Sequence, residues 1–269
     1  MPLLVPAGTR HGSRRIASPE THELSMLTID TALLAPGETY DGSTDGRELG
    51  IVVLCGSVDV AAGLETFLAI GRRANVFGGR ATAVYLPPGC EFRIAGAGET
   101  GGEVALCFAK ADSGGPVTLV RPEDVVSREV GKANWRRRVE DVFATAPAST
   151  LLLGETYNAP GSWSSYPPHK HDRAEPGKEV VLEEIYHYRL SPPQGFGVQC
   201  VYTPDRSIDR AYIVRDGDTV VIPRGYHPVA AAPGYILYYL WILAGPRRVM
   251  RPNDDPAHVW VKAVEAMLT

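Results

Sequence analysis

Short apolar runs bounded by Pro, Gly and Asp recur along the chain, at 49–55, 82–86, 104–108, 151–153, 184–190, 196–202, 219–222 and 235–242. They are rich in β-branched and aromatic residues, which suit a pleated, half-buried surface, and each is expected to form a strand. Helix signals are few. The clearest lies over 255–268, where Asp255 would cap and Pro256 would take the first helical position. A shorter helix is expected at 64–70. The chain holds 28 glycines and 22 prolines, well above average usage of roughly 7% and 5%. That excess implies many tight turns between short segments, the mark of an all-β sandwich or barrel.

The pattern also repeats. Ala35-Pro36-Gly37 matches Ala159-Pro160-Gly161, and Pro87-Pro88-Gly89-Cys90-Glu91 matches Pro223-Arg224-Gly225-Tyr226-His227. The 269 residues give roughly two units at about 150 per domain. We therefore expect a duplicated fold, 1–125 and 126–269. Glu91 stands where the second half has His227, and no His-x-His follows Gly37. The first half would keep the architecture without a metal.

A net charge of −4 offers no electrostatic footprint for nucleic acid or an anionic membrane. No apolar run reaches the roughly 20 residues needed to cross a bilayer, and the first residues do not read as a secretion signal. Cys55, Cys90, Cys107 and Cys200 form no Cys-x-x-Cys pair. They are expected to be reduced and structural, in a cytoplasmic protein. Arg136-Arg137-Arg138 reads as a solvated or subunit-contact run.

The candidate chemistry is concentrated in the second half. On a strand, residues two apart share a face, so His169 and His171 can turn two imidazoles to one point. His227 and a carboxylate from Glu183-Glu184 would complete a nitrogen/oxygen set for one divalent transition metal ion, Zn, Mn, Fe or Ni. Alternation places Glu183 and Glu184 on opposite faces, so only one can bind.

A His-x-His, Glu, Pro-x-Gly and His set in a jelly-roll pattern resembles the cupins, and two halves make a bicupin: two tandem jelly-roll sandwiches with few short helices. Within the cupins the chain resembles the 5-deoxy-glucuronate isomerase family of myo-inositol catabolism, itself related to 5-keto-4-deoxyuronate isomerase. The resemblance rests on Gly154-Glu155, Pro160-Gly161-Ser-Trp-Ser-Ser-Tyr-Pro-Pro-His-Lys-His-Asp172, Glu183-Glu184-Ile-Tyr, Pro192-Pro-Gln-Gly-Phe196, Pro223-Arg-Gly-Tyr-His-Pro228 and Ala244-Gly-Pro-Arg247. First-half segments 71–79 and 134–139 add to it. Two features depart from the general cupin signature: the long interval between His171 and Glu184, and the single residue between Gly225 and His227. In cupins the ligand carboxylate precedes an apolar–aromatic pair, which favours Glu184 before Ile185-Tyr186.

The resemblance implies a metal-dependent aldose–ketose isomerase that converts 5-deoxy-D-glucuronate to 5-dehydro-2-deoxy-D-gluconate. A Lewis-acidic ion would polarise a carbonyl and its neighbouring hydroxyl, and a side chain would move the proton. Glu155, Glu183, Tyr186, Tyr202 and Tyr226 are candidates for that transfer. Lys170, Arg189, Arg224 and Arg247 are candidates to hold the substrate's carboxylate. A homo-oligomer is expected. The competing readings are 5-keto-4-deoxyuronate isomerase of pectin breakdown, a cupin dioxygenase and a non-catalytic sugar-binding cupin.

Overall fold

The apolar runs become antiparallel strands. Two have the bounds the pattern suggests, Thr82–Leu86 and Thr219–Ile222; others lengthen, as in Arg47–Ala62, Gly102–Lys110 and Leu151–Asn158. The computed structural model describes residues 2–8 and 11–268. The chain is all-β, with a single five-residue α-helix, Val261–Glu265, among the described residues.

Strand pairing sorts into two halves. In the first, a nine-stranded sheet runs Thr118–Val120, Thr82–Leu86, Arg47–Ala62, Gly102–Lys110, Leu27–Leu34 and Gly12–Ala17 along its main path. Arg47–Ala62 bends at a bulge between Val53 and Cys55, and its far end joins Glu65–Gly71 and Glu91–Gly96. Gly56 makes the bend possible: at φ +71° a Cβ there would lie 2.1 Å from the Gly101 carbonyl oxygen. In the second half, a seven-stranded sheet runs Leu4–Val5, Thr219–Ile222, Glu183–Ser191, Ile236–Ala244, Leu151–Asn158, Arg137–Asp141 and Val126–Val130. A four-stranded sheet of Trp163–Ser164, Val229–Ala231, Gly197–Tyr202 and Asp209–Val214 faces it. The pairing changes hands between Val120 and Val126. Leu4–Val5 is the exception: it leaves the first half to extend the second-half sheet beside Thr219–Val220.

Two expected helices differ. Residues 65–70 fall in the strand Glu65–Gly71, which follows a turn at Gly63 (φ +58°) and Leu64 and pairs back onto Ser57–Ala62. Leu64 and Leu68 are both exposed, and the ladder to Ser57–Ala62 sets the conformation. The C-terminal helix begins late. Asp255 caps only a turn, accepting the Ala257 N–H at 3.0 Å while the Tyr202 hydroxyl donates to its other oxygen at 2.8 Å.

Alternation along each strand of the large sheets feeds two cores. In the second half, Tyr186, Tyr188, Leu190 and Tyr239 pack inward against Val201, Val214 and Val229. The odd-numbered Ile185 and the even-numbered Tyr238, Leu240 and Ile242 pack outward on Ile29, Val52, Leu54 and Cys107 of the first half. The interior of the first sandwich is closed by Ile51, Val53, Val58, Phe92 and Ile94, and the Glu91 side chain is exposed.

Buried charges cross the junction between the halves. Glu48 accepts the backbone N–H groups of Ser149, Thr150 and Leu151. Arg73 pairs with Glu155 at 2.6 Å, with the two side chains 4% and 0% exposed. Tyr157 and Tyr238 also donate to Glu155, each at 2.9 Å. Glu155→Ala would leave the guanidinium buried without its partner, a loss of about 3–5 kcal/mol of stability. Chemical denaturation should show a clear fall in midpoint; an unchanged midpoint would mean the pair contributes nothing.

Candidate metal centre and cavity

His171 enters the second sandwich from the segment after His169–Lys170, a two-residue strand paired with Asn253–Asp254. Its Nδ1 lies 2.8 Å from the Leu182 carbonyl oxygen. A carbonyl only accepts, so Nδ1 carries the proton and Nε2 is left to face inward. His227 repeats the device, with Nδ1 2.9 Å from the Gly225 carbonyl oxygen. Glu184, the second residue of Glu183–Ser191, points to the same place: Oε2 lies 3.0 Å from His171 Nε2 and 3.1 Å from His227 Nε2. All three residues are buried, and their ligand atoms lie within 4.8 Å of one another.

His227 Nε2 has no hydrogen-bond partner, although it is buried. Burying such a nitrogen unsatisfied costs roughly 1–3 kcal/mol, so the atom is placed for something other than packing. An ion that holds nitrogen and oxygen donors at about 2.0–2.2 Å brings them roughly 3 Å apart, the spacing seen here. The donor set fits a divalent transition metal.

His169 stands beside these three residues, outside the tight group that their ligand atoms form. Its ring stands edge-on to that of His227, centroids 4.9 Å apart, and 6.3 Å from that of His171. Among the described residues it makes no hydrogen bond, and it lines a cavity of about 320 Å³. Burial, then the charges of His227 and His171, hold its pKa well below the usual histidine range, so it is a neutral imidazole. Burial alone would raise the Glu184 carboxyl. The neighbouring His227 and His171 imidazoles overturn that and hold it down to about 2.

The cavity lies on the inward face of the seven-stranded sheet. Glu184, Tyr186, Leu152, Thr156, Tyr239, Trp241, Leu243, Val139 and Arg137 project into it at every second residue. Gly154 lets the Trp241 indole lie across its strand, since a Cβ there would sit 2.1 Å from Cζ2 of that ring. Tyr186 Oη is 2.9 Å from Ser165 Oγ. Burial and the Glu184 carboxylate push its phenol well above the ordinary tyrosine range, so it keeps its proton.

The remaining sequence-derived candidates are placed elsewhere. Glu183 projects to the opposite face and accepts the backbone N–H groups of Ser25, Met26 and Leu27. Glu155 is held in the junction by Arg73, and Tyr202 reaches Asp255. Tyr226 stacks on Tyr202 with centroids 5.2 Å apart. Lys170, between two inward histidines, must face outward; its ammonium is buried against Glu179 at 2.8 Å and Asp172 at 2.6 Å. Arg189 shares Glu183's face and pairs with Glu103 at 2.5 Å. Arg224 pairs with Glu23 at the surface, and Arg247 is exposed. None of these four cations lines the cavity. Arg128, Arg137 and Arg248 do. Alternation along Arg137–Asp141 would have singled out Arg137, which shares the inward parity of Val139.

The model of the KduI/IolB family matches residues 3–261. The curated 5-deoxy-glucuronate isomerase of Geobacillus kaustophilus is 37% identical over 263 residues, which cover 96% of this chain and 95% of that one. The 5-deoxy-glucuronate isomerase of Halalkalibacterium halodurans is 41% identical over 241 residues, 88% of each chain. Among solved structures, an IolB-like protein from Salmonella typhimurium superposes with TM-score 0.93 at 37% identity, over 97% of this chain and 100% of its own. Oxalate decarboxylase of Lactobacillus farciminis, at TM-score 0.64 and 14% identity over 94% of this chain and 88% of its own, shares the fold.

Proposed function

Because the chain belongs to the KduI/IolB family, we propose that it is an aldose–ketose isomerase that converts 5-deoxy-D-glucuronate to 5-dehydro-2-deoxy-D-gluconate in myo-inositol breakdown. The observation that carries the mechanism is the convergence of His171 Nε2, His227 Nε2 and Glu184 Oε2, with Glu184 lining a cavity that His169 and Tyr186 also line. His169, His171, Glu184 and His227 would hold one divalent ion. When bound, the ion supplies Lewis acidity to the substrate's aldehyde and adjacent hydroxyl oxygens.

The protein's own groups do the rest. The Leu182 and Gly225 carbonyls fix the tautomer and direction of two imidazoles. Trp241, Leu243, Leu152, Val139 and Met250 wall the cavity with apolar surface and limit water. Tyr186 Oη, oriented by Ser165, holds a proton where a substrate oxygen gains negative charge as carbon 2 loses its hydrogen. Net, the hydrogen on carbon 2 moves to carbon 1 and the hydroxyl proton on its oxygen moves to the former aldehyde oxygen, so no external oxidant or reductant enters.

Lys170 acts at one remove. Its carboxylate partner Asp172 accepts the Gly225 N–H at 2.8 Å, and the same residue's carbonyl orients His227. Lys170→Met is therefore expected to weaken metal affinity by about 10- to 100-fold, measured by competition with a chelating dye. Unchanged affinity would detach this network from the centre.

The nearest competing reading is isomerisation of 5-keto-4-deoxyuronate. Assaying both uronates with metal-loaded protein separates them, and doing so anaerobically also tests a dioxygenase. The proposal expects turnover of 5-deoxy-glucuronate without oxygen uptake; oxygen-dependent turnover would reject it. We place the reaction in the cytoplasm and in a homo-oligomer.

A further inference from the structure

Three guanidinium groups line the cavity, and two are already engaged. Arg128 is ion-paired with Asp141, which lines the same cavity. Arg248 donates to the carbonyls of Leu151 and Phe143. Arg137 is also held by carbonyls, its Nη1 donating to Trp135 at 3.2 Å and Tyr166 at 3.5 Å, but these set it at the histidine end of the cavity, whereas Arg248 is tied to Leu151 and Phe143. No carboxylate of the described residues lies within ion-pair distance of it. Its neighbours in the basic run are committed outward: Arg136 pairs with Glu129 at 3.0 Å, and Arg138 lies 4.1 Å from the centre of the Tyr157 ring.

The place matters as much as the vacancy. Tyr166 lies three residues before His169, so its carbonyl holds the guanidinium beside the histidine segment. The charged and titratable groups around Arg137 are Tyr239, Tyr186, Glu265 and Arg128, and burial pulls its own pKa down. A partly buried cation without a counter-ion costs free energy. An anionic ligand would supply that counter-ion.

We propose that Arg137 is the specificity-determining residue that grips the substrate's terminal carboxylate, while the reacting end of the sugar lies at the histidine–glutamate cluster. This rests on the isomerase reading above and deepens it. Planar guanidinium and carboxylate groups meet through two parallel hydrogen bonds, and among the described residues Arg137 Nη2 and Nε make no hydrogen bond. The site would thus select uronates from neutral aldoses, which lack a group to meet the cation.

The test compares 5-deoxy-glucuronate with its uncharged C6 amide, followed as a substrate or, where turnover is slow, as a competitive inhibitor. Wild type should prefer the acid. Arg137→Met should lower kcat/KM for the acid by roughly 10- to 100-fold, chiefly through KM, and leave the amide within about twofold. Arg137→Lys should recover part of the preference, and metal content should match wild type throughout. Equal losses on acid and amide would overturn the proposal and make Arg137 a strap for the Tyr166 segment; undiminished preference would overturn it too. Failure of metal-loaded wild type to isomerise the acid would instead reject the function itself.

Discussion

His227→Ala is expected to lose bound metal and turnover together while the sandwich remains folded. The side chain is fully buried, and its Nε2 has no hydrogen-bond partner. Removing it takes away one donor and frees the Gly225 carbonyl, but it leaves the neighbouring apolar core of Tyr186, Val229 and Tyr239 in place. A Lewis-acidic ion contributes several kcal/mol to a transition state that gains charge on oxygen, so activity should fall on the order of 10³-fold or more. Metal analysis, circular dichroism and an isomerase assay on one preparation give the three readings. A variant that keeps full metal and full activity would remove His227 from the centre.

Tyr186→Phe should separate proton handling from metal holding. The ring would still pack on Tyr239, centroids 4.2 Å apart, and edge-on to His227 at 5.9 Å, so the fold and the metal should both persist. What disappears is one hydroxyl, held by Ser165 and kept protonated by burial and by Glu184. Loss of a single positioned donor to a developing oxyanion costs about 10²–10³-fold in kcat, with KM little changed. A variant as fast as wild type would assign that donor role to another group.

Much of this was legible before any coordinates. The strands followed from β-branched and aromatic runs between turn residues, because burial of one face dictates period-2 composition. Alternation separated Glu184 from Glu183, and the structure sends the second to the backbone of residues 25–27. Parity also carried information that nearness to a motif obscured. Lys170 sits between two inward histidines, and Arg189 shares the outward parity of Glu183; both lie in buried ion pairs away from the cavity. Arg137 was hidden in a run of three arginines that looked solvated, although only one of them could face inward.

Other features needed the register of the folded chain. Glu155 belongs to the strand that also contributes Thr156 to the cavity, yet its carboxylate meets Arg73 from the other half. No local pattern gives that pairing, because the partners lie 82 residues apart. The same holds for Leu4–Val5, whose partners are Val220 and Thr219. The expected C-terminal helix starts late for a local reason: the Asp255 cap is shared with Tyr202, and the chain winds through turns before Val261.

The most direct test is to strip the protein with a chelator, measure isomerisation of 5-deoxy-glucuronate under nitrogen, and restore one divalent ion at a time. The account predicts about one ion bound per chain, no turnover without it, and recovery in proportion to occupancy. Full turnover by demonstrably metal-free protein would contradict it.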